Sequence, residues 1–110
     1  MKRKIKYKNF KVSRAGEKYL NYRLDNVHED YPGISSCSIR VIKEDNCFKA
    51  RITGKYVKID VTEKWSGPIF LVCINKLITA FEDKLNLVGY RNGMSLPVSV
   101  QRSSIFKEVV

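Results

Sequence analysis

The chain has 110 residues, of which 44% are hydrophobic, enough for one folded domain with a core rather than a disordered chain. It carries 21 Lys and Arg against 11 Asp and Glu, a formal net charge of +10 that attracts polyanions such as nucleic acids and repels further copies of itself. No apolar run approaches the roughly 20 residues of a membrane-spanning helix, so we expect no membrane association.

The N-terminus is basic but lacks the apolar run that follows in a secretory signal, which predicts a cytoplasmic location. Cys37, Cys47 and Cys73 form no Cys-x-x-Cys pair and are odd in number, so buried free thiols are favoured over disulfides or a zinc site. His28 has no second ligand four residues away and is expected near a helix C-terminus.

A strand is predicted at the start of the chain. Ile5, Tyr7, Phe10 and Val12 are its apolar positions, and the change of parity between Tyr7 and Phe10 predicts a bulge.

The next segment has the period of an amphipathic helix. Ser13 is suited to cap it, and Pro32-Gly33 is expected to end it. Its apolar stripe consists of Leu20, Leu24, Val27 and Tyr31.

Three strands should follow. Residues 37–42 and 48–53 alternate and form a hairpin around Glu44-Asp45-Asn46. Gly54-Lys55 predicts a second turn, after which Val57–Val61 alternate as a fourth strand.

The final element is predicted to be a long helix. Ser66-Gly67-Pro68 should open it, apolar residues recur at helical spacing from Phe70 to Val88, and Gly89 should end it. Residues 90–110 are interpreted as a C-terminal tail with a short strand at Pro97–Val100.

The order β-α-β-β-β-α predicts an α+β fold in residues 1–89, a two-layer sandwich with both helices on one face of a four-stranded sheet. Its opposite face should meet solvent. Alternation assigns to this face Arg40, Lys49, Arg51, Tyr56 and Lys58, joined by Lys6 and Lys8 if the first strand keeps its parity.

The cationic excess predicts a nucleic-acid-binding surface that recognises phosphates and shape rather than base edges. Tyr56, beside Lys58 and Arg51, is the best candidate for stacking on a base. The candidate binding residues are Lys6, Lys8, Lys11, Arg14, Lys18, Arg23, Arg40, Lys49, Arg51, Tyr56, Lys58, Lys76, Lys84 and Arg91.

No nucleophile elbow, phosphate-binding glycine loop or spaced pair of carboxylates occurs. We therefore expect no enzymatic activity, no cofactor and no small-molecule substrate.

From about residue 4 to residue 89, element order and apolar spacing resemble the ribosome hibernation promoting factors, the family that includes the ribosome-associated inhibitor protein Y. The matching stretches are Ile5–Ser13, Ile34–Thr53, and Val57–Val61 followed by the helix containing Ile74-Asn75-Lys76-Leu77-Ile78.

The resemblance implies a cytoplasmic factor of the short type, without the extra C-terminal domain of long members. It would bind ribosomal RNA of the small subunit in the channel for messenger and transfer RNA and idle the ribosome under stress. We expect a monomer or weak dimer.

Family members usually carry cations along both helices, but here Glu17, Asp25 and Asn26 interrupt the first and Glu82-Asp83 the second. The charge therefore points to the first strand and the open sheet face.

Two other functions fit the pattern. The chain resembles double-stranded RNA-binding domains in its α-β-β-β-α core, although Trp65–Ile69 lacks their Lys-Lys-x-Ala-Lys motif. It also suits a protein-interaction domain that binds an acidic partner or adds its tail to another sheet.

Overall fold

The computed structural model describes the backbone of residues 1–91 and the side chains of residues 1–89. Its elements are β1 (Lys2–Lys8), α1 (Arg14–Asp30), β2 (Ile34–Glu44), β3 (Cys47–Tyr56), β4 (Ile59–Gly67) and α2 (Phe70–Arg91). The predicted order and α+β class are confirmed. The predicted tail strand at Pro97–Val100 lies outside the described residues.

The four strands form one sheet in the order β1-β2-β3-β4. β1 runs parallel to β2 because α1 carries the chain back between them, whereas β2, β3 and β4 are antiparallel neighbours. β1 and β4 are therefore the two edges of the sheet.

The core lies between the sheet and the two helices, which pack on the same face as predicted. Ser13 caps α1, its hydroxyl accepting a hydrogen bond from the Gly16 amide at 3.0 Å. Burying each large apolar side chain contributes about 1.5–3 kcal/mol. The largest fully buried side chains are Tyr31, Phe81, Leu20, Leu24, Ile39, Ile52, Ile74, Leu77, Ile78, Leu85, Val27 and Val41.

The predicted bulge in the first strand is wrong. β1 ends at Lys8, and Asn9 turns the chain with a φ of 68°. The Phe10 ring then folds back to within 5.6 Å of Tyr7 and 5.0 Å of Phe48, measured between ring centroids. The change of parity marks the end of the strand, not an extra residue within it.

The predicted turn at Gly54-Lys55 is also wrong. Both residues lie within β3, and the chain turns at Val57 and Lys58, which have φ values of 47° and 68°. A Cβ built on Gly54 would lie 2.7 Å from Cζ of Phe81, so the glycine serves close packing of α2 on the sheet.

The bounds of the last helix differ from those predicted. Ser66 and Gly67 pair with Lys49 and Phe48 as part of β4, and α2 begins at Phe70. Gly89 does not end the helix, which continues to Arg91, because a glycine permits a helix end without imposing one.

Candidate nucleic-acid interface

The sheet surface opposite the helices, called the open face below, takes its composition from strand alternation. In β1, Ile5 and Tyr7 turn towards the core, and the lysines between them turn outward. The condition for Lys6 and Lys8 to join the open face is therefore met. The exposed lysines of this strand are Lys2, Lys4, Lys6 and Lys8.

Strand register brings four cations into one line across the sheet, called the cationic row below. Lys6 lies opposite Arg40, Arg40 opposite Arg51, and Arg51 opposite Lys64. Strands about 4.8 Å apart make this line roughly 14 Å long. Among the described residues none of the four has an acidic partner at ion-pair distance. Their charges are thus available to an external anion.

The flanking positions extend the positive surface. Lys49 on β3 pairs with Glu44 at 2.7 Å near one margin of the open face. Arg40, Lys49, Arg51 and Lys64 also line a shallow hollow of about 460 Å³. On the other side of the cationic row the central positions carry hydroxyls, namely Ser36, Ser38, Thr53 and Thr62.

Charge is divided unequally between the layers. The four strands together carry eleven Lys and Arg and three Asp and Glu, whereas the two helices carry six of each. The positive field therefore originates mainly from the sheet.

Two of the predicted helix cations are engaged within the protein. Arg23 Nη2 lies 3.1 Å from Glu82 Oε1 and donates to Thr79 Oγ1 at 3.1 Å, joining α1 to α2. Burial raises the pKa of Glu82, and the Arg23 guanidinium opposes that shift. Lys84 Nζ donates to the Thr62 carbonyl at 2.8 Å and lies 3.5 Å from Glu63.

The remaining predicted cations are spread around the molecule. Lys11 lies between β1 and α1, and Arg14 begins α1. Lys18 and Lys76 are exposed on the helices, and Lys58 lies at the tip of the β3–β4 hairpin rather than on the open face. The Arg91 side chain lies outside the described residues.

The placement of Tyr56 on the open face is wrong. This side chain is only 7% exposed, and its ring lies 5.9 Å from that of Tyr31 in the core. The prediction placed the turn at Gly54-Lys55 and therefore assigned Tyr56 to the next strand. Tyr56 in fact belongs to β3, whose even-numbered residues face the helices. Burial also raises the pKa of its hydroxyl.

Sequence reasoning missed four members of the open face as candidate binding residues. Lys2 and Lys4 share the alternation of Lys6 and Lys8, a signal sufficient to find them. Lys55 and Lys64 were missed because the predicted third and fourth strands ended at residues 53 and 61, whereas β3 continues to Tyr56 and β4 to Gly67.

The cysteines are free, with Cys37 and Cys73 buried and Cys47 half-buried. Burial raises the pKa of the Cys37 thiol to about 11 and also raises that of Cys73. His28 lies in the last turn of α1, as predicted. Within residues 1–91 no group of three His, Cys, Asp or Glu is placed to hold a metal, and neither described helix is long and apolar enough to cross a membrane.

No protein-family model matches the chain, and no curated protein matches it significantly. Solved structures do match. A ribosomal subunit interface protein from Coxiella burnetii superposes with a TM-score of 0.75 at 12% identity, over 82% of this chain and 99% of that one. The Protein Y N-terminal domain of Thermus thermophilus gives a TM-score of 0.67 at 13% identity, over 77% and 96% of the two chains. The resemblance to the hibernation factors is therefore confirmed at the level of the fold.

Proposed function

We propose that the protein is a ribosome-associated translation inhibitor that binds ribosomal RNA of the small subunit through a basic surface. The two solved structures support ribosome association, since one is described as a ribosomal subunit interface protein and the other as a Protein Y domain. The net charge of +10 supports RNA as the ligand. This function places the chain in the cytoplasm and requires no catalysis.

The cationic row is the main reason for proposing that RNA contacts the open face. Like charges directly opposite each other on adjacent strands destabilise a sheet. Here three such pairs occur in succession, Lys6 with Arg40, Arg40 with Arg51, and Arg51 with Lys64. A phosphate backbone lying across the row relieves this repulsion in the complex.

The inhibitory mechanism is occupancy. A protein held on the small subunit by phosphate contacts excludes messenger and transfer RNA from the surface that it covers. Attachment by phosphates also makes the complex reversible by salt, because each neutralised phosphate adds about 0.9 to the slope of log affinity against log salt for duplex DNA.

A sucrose-gradient profile of starved cells tests this function. We expect the protein in ribosomal fractions at low salt and at the top of the gradient after a high-salt wash. Absence from ribosomal fractions at low salt would contradict the proposal. Equal affinity for naked RNA duplexes and for ribosomes would favour a general RNA-binding module instead.

A further inference from the structure

We propose that the open face docks on the minor groove of an RNA double helix. This inference rests on the proposed function and names the RNA element that the surface recognises. Two lines of cations contact the two phosphate backbones, and hydroxyl groups between the lines contact the 2′-hydroxyls in the groove.

The two lines follow β1 and β3. Four exposed lysines, spaced two residues apart, form the first line from Lys2 to Lys8, and Lys49, Arg51 and Lys55 form the second. Successive members lie about 6.6 Å apart along a strand, or twice that across Thr53. β2 separates the lines, which places them about 10 Å from each other. Each line can therefore follow a separate phosphate backbone.

The hydroxyls lie in the space between these lines. Ser36 and Ser38 lie on the open face of β2, opposite Lys2 and Lys4 on one side and Lys55 and Thr53 on the other. Neither serine hydroxyl has a hydrogen-bond partner among the described residues. A hydroxyl both donates and accepts, so each can bind a 2′-hydroxyl.

An RNA duplex presents a matching arrangement. Its minor groove is wide and shallow, displays the 2′-hydroxyls, and is bounded by the two phosphate backbones. The open face also holds two acids. Glu44, at the end of β2, pairs with Lys49. Asp60, at the start of β4, lies opposite Lys55 and lines one hollow with Ser36 and Ser38. The cations of the two lines outnumber these acids seven to two.

Single-stranded RNA fits this surface less well. Proteins that bind single strands stack successive bases on aromatic side chains. Among the aromatic residues of the described strands, Tyr7, Phe48 and Tyr56 pack with the core, and only Trp65, which is 43% exposed at the β4 edge, lines the hollow of the cationic row. One exposed indole cannot stack successive bases, whereas the described part of the open face offers cations and hydroxyls over its whole length.

The test compares a 20-base-pair RNA duplex, a DNA duplex of the same sequence and either RNA strand alone, using the full chain and fluorescence anisotropy at several salt concentrations. We expect the RNA duplex to bind more tightly than the other two ligands. In Ser36→Ala/Ser38→Ala the preference for RNA over DNA should fall roughly two- to tenfold per hydroxyl, with an unchanged salt slope. In Lys4→Gln/Lys55→Gln the slope should fall by about one per lost phosphate contact.

Ser66→Ala is the matched control, since this exposed serine lies on β4, outside the two lines. Tighter binding of the single strand, or equal binding of RNA and DNA duplexes, would overturn the inference. An equal loss in Ser66→Ala would do the same. Sedimentation with ribosomes separates the two proposals, because a chain that sediments with ribosomes but prefers single strands overturns only this inference. A chain that prefers the RNA duplex without sedimenting overturns only the proposed function.

Discussion

At the residue scale, Gly54 determines how closely α2 approaches the sheet. A Cβ at this position would lie 2.7 Å from Cζ of Phe81, whose side chain is fully buried, so the ring or the strand would have to shift. We expect Gly54→Ala to lower the free energy of unfolding by about 1–3 kcal/mol through overpacking. Urea denaturation followed by circular dichroism measures this change.

Gly67→Ala is the matched control for that substitution. A Cβ at Gly67 would meet no atom within 4 Å, so the free energy of unfolding should change by less than about 0.5 kcal/mol. Equal effects of the two substitutions would show that contact with Phe81 does not explain the glycine.

The three thiols should differ in reactivity because the thiolate is the nucleophile. Burial raises the pKa of Cys37 to about 11 and raises that of Cys73, so both are protonated at pH 8. We expect iodoacetamide at pH 8 to modify half-buried Cys47 first, and Cys37 on the order of a hundredfold more slowly than in denaturant. Peptide mass spectrometry resolves the sites. Rapid modification of Cys37 in the folded chain would contradict its burial.

At the element scale, the cationic row predicts a conflict between stability and binding. In Arg51→Glu, repulsion by Arg40 and Lys64 becomes attraction, which should raise the free energy of unfolding by about 0.5–2 kcal/mol at low salt. The gain should shrink in 1 M salt, and RNA affinity should fall. Thermal unfolding and anisotropy measure the two effects.

Lys58→Glu provides the control for Arg51→Glu, since it makes the same charge change in the exposed β3–β4 turn. Its stability should remain near that of the parent chain. A loss of stability in Arg51→Glu at low salt would show that the row is not repulsive.

The β3–β4 turn predicts a stabilising change. Val57 and Lys58 both have positive φ, which β-branched residues such as valine rarely adopt. Hairpin turns with two positive φ values favour Asn-Gly, so Val57→Asn/Lys58→Gly should raise the melting temperature, corresponding to about 0.5–2 kcal/mol. A lower melting temperature would show that packing of the Val57 side chain stabilises the protein by more than its positive φ costs.

The same turn shows what the sequence can and cannot reveal about the elements. The stripe of α1 and the Ser13 cap depend on local spacing, so both were predictable. Val57-Lys58 carries no turn signal, whereas Gly54 carries one for a different reason, its contact with Phe81. Because a glycine usually indicates a turn, the turn was predicted at Gly54, three residues before its actual position at Val57.

The candidate binding surface could likewise be predicted only in part from the sequence. Alternation within single strands predicted the outward direction of Arg40 and Arg51 and, with β1 parity kept, that of Lys6. The row itself requires the register between strands, which tertiary packing determines and a single strand does not encode. Tyr56 was misassigned because one shifted turn moved it to the other face of the sheet.

At the scale of the whole molecule, the protein is electrostatically two-sided. The strands carry eleven cations and three acids, and the helices carry equal numbers of each. Such a distribution orients the chain as it approaches a polyanion and presents the sheet first. Equal positive faces repel each other, consistent with the expected monomer or weak dimer.

The central claim is that the sheet, not the helices, holds the small ribosomal subunit. Its most direct test is co-sedimentation of purified small subunits with two double variants that change the charge equally. Arg40→Glu/Arg51→Glu alters the open face, and Lys18→Glu/Lys76→Glu alters exposed helix positions. We predict that the sheet variant loses at least roughly tenfold in affinity, while the helix variant remains within about threefold of the parent chain. A helix variant that releases the subunit while the sheet variant stays bound would contradict the account.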